Sequence, residues 1–171
     1  ALLAISRDLF ATLRSRHGLT HMYFHDANRV ALLRVHCPDR RGDRIDRVTA
    51  VRAERTGRWV NGVELGPLGT LTLRSVRPVD VDGRRIGYFE LGSEVERFLR
   101  GMSDGVGVQH LAVIRKDQLD RDGWQAGMQM LGREANWDAL PAHVIISASD
   151  DITPGLARSA LGGRDSGQAL P

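Results

Sequence analysis

From Thr20 to Gly92 short strand-compatible runs alternate with turn signals, ending in Val79-Asp80-Val81-Asp82-Gly83-Arg84-Arg85-Ile86-Gly87-Tyr88-Phe89-Glu90-Leu91-Gly92. Asp-Gly favours a tight hairpin, because Gly takes positive φ at no steric cost and Asp tolerates it better than most residues. Three strands are therefore expected over 59–65, 70–76 and 85–91, joined as an antiparallel meander. Upstream, runs 20–25 and 30–36 flank the turn Asp26-Ala27-Asn28 and read as a hairpin. The segment 38–43 cannot extend that hairpin, since Pro38 lacks a ladder donor and the following residues are charged. A short helix is predicted over 45–53, stopped by Thr56-Gly57.

Leu2, Ile5, Leu9 and Leu13 recur at spacings of three and four, which predicts an amphipathic helix over 1–18 that ends at Gly18 and packs on a sheet or a partner helix. Ser93 followed by Glu96 has the spacing of a helix start, with Val95, Phe98, Leu99 and Met102 as the apolar face. A strand over 109–115, a helix over 122–131 and a strand over 142–147 make a second unit, 106–150, too short to repeat the first. Trp124, Met128, Met130 and Trp137 read as its apolar face. The glycine-rich stretch 151–171 is expected to be a loose tail.

In 171 residues, 42% apolar composition is enough to build a core. The 24 Lys and Arg stand against 21 Asp and Glu, for a net charge of +3 with no block of five like charges. That pattern is a solvated surface, not a nucleic-acid footprint, although a basic nucleic-acid- or protein-binding domain remains the alternative. Cys37 is the only cysteine, which excludes an intramolecular disulfide, a zinc ribbon and a c-type haem attachment. No run approaches a membrane span, and no signal-peptide pattern opens the chain. It starts at Ala1 already in helical rhythm and is expected to be an excised part of a longer protein. A small hydrolase is the other alternative, disfavoured on the expectation that the chain offers no Gly-x-Ser-x-Gly elbow, His-Glu-x-x-His helix or Cys-His nucleophile arrangement. No catalytic residue, cofactor or metal is assigned. Asp80-x-Asp82-Gly83 begins like a calcium loop, but Leu91 occupies the twelfth position, where a bidentate Glu is needed. His21, Tyr23 and His25 alternate onto one face, a pattern that half-buried aromatic packing explains without a metal.

Tyr23-Phe24-His25-Asp26, Leu33-Arg34-Val35-His36 with Pro38 close behind, Leu73-Arg74 with Arg77-Pro78-Val79, and Ile86 through Gly92 stand in the order helix, two strands, helix, three strands, helix. This order resembles the PAS-like module of the Cache superfamily of bacterial sensors, double Cache domains above all. Leu119-Asp120-Arg121, Trp124, Gly127-Met128, Gly132-Arg133 and Trp137 look like the membrane-proximal part of such a sensor. The resemblance spans about residues 1–150. It implies an α+β fold: a PAS-like five-stranded antiparallel sheet with flanking helices over 19–105, plus a partial second α/β unit. It further implies a non-enzymatic periplasmic sensing region of a homodimeric receptor. Transmembrane helices absent from this chain would flank it, and a chemotaxis, histidine kinase or cyclic-di-GMP output would follow.

Arg34 and His36 lie two apart on a predicted strand and so share a face, as do Thr72 and Arg74. A guanidinium fork suits a carboxylate. Citrate and dicarboxylate sensors of the related single Cache type carry an Arg and a His before a Pro, and a later Arg in a Leu-Arg segment ahead of Pro-Val. Arg34, His36 and Arg74 resemble that set, except that only Val35 separates the first two where two residues are usual. The implied ligand is a small organic anion such as a carboxylate. Tyr23, Thr49, Trp59 and Tyr88 complete the candidate binding residues, with Arg47 and Arg52 beside Thr49 on the covering helix. The competing reading pairs Arg34 and Arg74 with surface carboxylates, packs His36 at the strand end, and packs Trp59 and Tyr88 in the core.

Overall fold

The computed structural model describes residues 1–66, 69–130 and 132–162. Its contacts divide into two units, one built from 1–65 with 71–95, the other from 66–70 with the chain from 96 onward. In the first, helix α1 (Leu2–His17) is followed by β1 (Leu19–Asp26), β2 (Ala31–Arg34), helix α2 (Val48–Thr56), β3 (Val60–Leu65), β4 (Leu71–Val81) and β5 (Arg84–Glu94). The strands form a five-stranded antiparallel sheet in the order β2-β1-β5-β4-β3, the expected PAS-like α+β arrangement. The β4–β5 hairpin turns on Asp82 and Gly83, both at positive φ, 49° and 74°. Two such residues are what a type I′ turn requires.

Three local expectations change. The predicted stripe of α1 splits: Phe10 is buried and Leu3 and Leu13 pack beside it, whereas Leu2, Ile5 and Leu9 are exposed. A helix with apolar residues on more than one side cannot bury them all on one sheet, and the side carrying its largest ring takes the core. Helix α2 starts at Val48, not at residue 45, because Arg47 is extended at φ −68°, ψ 150°; Ile45 packs instead with Ala31 and Ala50. Ser93 is no helix cap. It lies in β5 opposite Leu73, and its hydroxyl donates to the Gly18 carbonyl at 3.2 Å, so the β ladder holds the backbone that a cap would need.

In the second unit, α3 (Val95–Val106), β6 (Leu111–Arg115), α4 (Arg121–Met130), β7 (His143–Ala148) and α5 (Pro154–Gly162) follow in order. β6 and β7 pair antiparallel. Trp124, Met128, Leu140 and Val144 are buried, and Trp137 meets Trp124 at 5.5 Å between ring centroids; the Met130 side chain lies outside the described residues. The first part of the expected loose tail is helical. Pro154 sits at the first helical position, the Thr153 hydroxyl accepts from the Leu156 N–H at 3.3 Å, and Ala157 is buried. A Thr cap before Pro is a helix start. The remainder of that tail, 163–171, lies outside the described residues.

Candidate functional site

Strand alternation gives the five-stranded sheet two unlike faces. On one, Met22, Leu33 and Val35 pack with Phe10, joined by Phe24, Phe89 and Leu91. On the other, the registers align three rows under α2. The first runs Arg34, Tyr23, Glu90, Val76, Val60; the second His21, Gly92, Arg74, Gly62; the third Glu94, Thr72, Glu64. Arg74 therefore stands between two glycines, which leave its side chain space on both sides.

The rows converge on a charge cluster. Arg74 Nη1 donates to Glu90 Oε1 at 2.7 Å, and Arg47 Nη2 donates to the same oxygen at 2.5 Å. Glu64 Oε2 lies 3.5 Å from Arg74 Nε and 3.7 Å from Arg47 Nε, while Glu64 Oε1 accepts from the Thr49 N–H at 2.6 Å. Glu64 thus caps the first turn of α2 with a negative charge, where the helix dipole favours one. Glu90 is fully buried and Arg74 is 3% exposed. Two arginines and two glutamates cancel, which is the condition for keeping charges out of water.

The cancellation leaves hydrogen-bonding capacity over. Arg47 Nε, Arg74 Nε, Thr49 Oγ1, Thr72 Oγ1, Glu64 Oε2 and Glu90 Oε2 are all buried without a hydrogen-bond partner among the described residues. Buried polar atoms are normally satisfied, so six of them, two from the start of α2 and four from the sheet beneath it, mark a place built to meet polar groups. A cleft of about 480 Å³ opens beside them between α2 and β3, lined by Arg47, Thr49, Gly62 and Glu64 among others.

Three imidazoles surround Tyr23: His21 stacked at 6.1 Å, His25 at 5.6 Å and His36 at 4.8 Å. Burial lowers all three, His21 to about 3 and His25 and His36 to about 4; on His21 a proton on neighbouring His36, where present, and the Arg74 and Arg47 charges press further. They are neutral at neutral pH. His36 Nδ1 accepts from the Met22 N–H at 3.3 Å. Among the described residues no group of three or more His, Cys, Asp or Glu could hold a metal ion.

The candidate residues do not all meet. Arg74, Thr49 and Tyr23 belong to the cluster, and the Arg47 guanidinium lies over the Tyr23 ring at 5.0 Å. Arg34 covers the same ring at 5.3 Å, but its fork is bidentate to Asp43 with both bonds at 2.6 Å, and it also donates to the Arg40 carbonyl. It ties down the loop after β2, and its hydrogen bond holds Asp43 below the usual carboxylate range. Tyr88 packs with Ala53 and Val76 and accepts from Arg85 at 3.1 Å. Trp59 stands apart: it is 62% exposed, bonds Ser75, and borders a small cavity with Phe89 and Leu91 on the apolar face.

The model of the double sensory domain of two-component sensor kinases, dCache_3, matches residues 1–142. The chain belongs to this double Cache family. Solved structures with a similar outline include the Escherichia coli DcuS sensor domain, at 20% identity and TM-score 0.49, covering 57% of this chain and 72% of that one. A domain of a Vibrio parahaemolyticus protein assigned to the sensory box/GGDEF family has 18% identity and TM-score 0.48, covering 70% and 57%. The extracellular domain of vpHK1S-Z8, assigned as a histidine kinase, has 17% and 0.46, covering 74% and 58%. The chain thus spans under two thirds of the last two. No curated protein sequence matches it. Double Cache domains are non-catalytic, extracytoplasmic parts of membrane receptors. Among the described residues no helix of this one is long and apolar enough to cross a membrane.

Two members of the cluster, Glu64 and Glu90, are missing from the candidates drawn from the sequence. Alternation was the available signal: Glu90 stands between Phe89 and Leu91 and Glu64 between Val63 and Leu65, so each carboxylate points away from apolar neighbours onto the face of Arg74. The expectation that no Gly-x-Ser-x-Gly occurs is wrong as to the motif, though not as to an elbow. Gly101-Met102-Ser103-Asp104-Gly105 has the spacing of a hydrolase nucleophile elbow, and Ser103 Oγ lies 2.6 Å from His110 Nδ1. An elbow sits between a strand and a helix, whereas Ser103 lies inside α3, and the other ring nitrogen of His110 meets Ser147 at 2.7 Å, not a carboxylate. The cluster joins α3 to β7.

Proposed function

We propose that this double Cache domain senses a small polar molecule bearing a carboxylate, bound on the α2-covered face of the sheet, as the periplasmic part of a homodimeric sensor kinase. The carrying observation is the set of six buried polar atoms around Arg47 and Arg74 that lack a hydrogen bond, four of them held only by ion-pair or histidine contacts of 3.4–3.7 Å. Both arginine Nε–H groups and both threonine hydroxyls can donate to a carboxylate. Glu64 Oε2 and Glu90 Oε2, which have no hydrogen bond of their own, can accept from a donor elsewhere on the same ligand. Ligand binding would signal only through its different affinity for two arrangements of the domain.

A thermal-shift screen with mono- and dicarboxylates, amino acids, amines and neutral sugars tests this. Carboxylate-bearing compounds should raise the midpoint, by an amount set by concentration over Kd. A rise confined to amines or sugars would refute the ligand class, and monomeric behaviour of the full-length receptor would refute the dimer. Binding that weakens steeply with salt on mixed nucleic acid would favour the basic-domain alternative.

A further inference from the structure

We propose that Arg47 is the exchanging residue of this site: a bound carboxylate takes its guanidinium from Glu90 and Glu64, and the exchange loosens the first turn of α2. This rests on the carboxylate reading above. The two arginines of the cluster differ in what carries them. Arg74 is on a central strand, 3% exposed and flanked by ladder partners on both sides. Arg47 is 20% exposed at its side chain, lines the 480 Å³ cleft, and sits in extended backbone immediately before α2. It follows a segment, 35–46, that lacks helix or ladder apart from one isolated bridge between Val30 and Arg44.

Arg47 can leave its partners at bearable cost. Glu90 keeps Arg74 at 2.7 Å when Arg47 turns away. Glu64 has three duties: it attracts Arg74 at 3.5 Å and Arg47 at 3.7 Å, and it caps Thr49. The capped turn is therefore held down by Glu64 directly and by the Arg47 ion pairs just ahead of it. A carboxylate in the cleft competes for the second restraint and leaves the first, so α2 shifts at its start while Ala50 and Ala53, both fully buried, keep its middle in place.

Amide hydrogen exchange and NMR titration of the whole domain with sodium formate, against sodium chloride at equal ionic strength, test this. Formate should perturb the Thr72 and Arg74 amides and speed exchange at Val51 and Arg52 by about tenfold, the ratio that corresponds to about 1.4 kcal/mol. In Arg47→Gln those amides should exchange fast already and ignore formate. Glu64→Gln, whose amide oxygen can still cap Thr49, should bind formate several-fold more tightly, and that gain should shrink when Arg47 is Gln as well; an undiminished gain would mean that Arg47 does not exchange. Perturbation at Thr72 and Arg74 with no response in α2, or an equal response in Arg47→Gln, overturns the exchange and spares the carboxylate site. No perturbation at Thr72 and Arg74 overturns both.

Discussion

The two faces of the five-stranded sheet are made by the same strands, yet they are built to different rules. Behind β1 and β5, Met22, Leu33, Val35 and Phe10 exclude water with apolar atoms, where burial itself is favourable. In front, one residue along each strand, Tyr23, Arg74 and Glu90 are buried just as deeply, where each charge is tolerable only because another cancels it. The first face can be altered gradually. The second responds as a set, since removing one member strands the rest, and this is the property a binding site needs if a ligand is to change its balance.

The sharpest break of this contrast is Glu90→Ala, which leaves Arg74 buried without its closest partner. It should cost about 3–5 kcal/mol in urea unfolding, and a loss under about 1 kcal/mol would show that the cluster is not a unit. Met22→Ala, on the other face, should cost about 2–5 kcal/mol through its cavity but leave the midpoint rise produced by a carboxylate unchanged. A lost response there would mean that the faces are not independent.

Acid separates the faces again. His21, His25 and His36 bind protons less readily in the fold than at their ordinary value of 6.5, so the unfolded chain takes up more protons between pH 6.5 and about 4, and down to about 3 for His21. Their contribution is complete above pH 6.5 and is lost as pH falls through that window, with a slope of up to about 1.4 kcal/mol per pH unit for each histidine. A flat urea-midpoint profile from pH 6.5 to 4.5 would contradict the neutral cluster. The smallest effect is expected for Asp43→Asn. With Asp43 half-exposed, releasing Arg34 should cost at most about 1 kcal/mol and leave carboxylate affinity nearly unchanged; a large loss of affinity would return Arg34 to the site.

Alternation and turn chemistry made the sheet readable. Asp82-Gly83 placed its hairpin, and the period of two put Thr72 with Arg74 and Leu33 with Val35. Pairings that depend on distant strands were not readable in the same way. Nothing near Arg34 in sequence says that Asp43 will fold back onto it, and nothing near Trp59 says that β3 will carry it to the apolar side. Glu64 and Glu90 look like solvent-facing residues of amphipathic strands until α2 covers them. At the ends of elements, competition decided: the β4–β5 ladder overrode the Ser93 cap, while Thr153-Pro154 started a helix in a stretch whose glycines suggest a tail.

The most direct test is the affinity of one carboxylate hit for Thr72→Val and Ser75→Ala, neighbouring positions on β4 that point to opposite faces. With the sensing site on the α2-covered face, Thr72→Val should weaken binding at least about tenfold, about 1.4 kcal/mol, with little change in stability, and Ser75→Ala should bind as the wild type does. Loss of binding in Ser75→Ala, or none in Thr72→Val, would contradict the account.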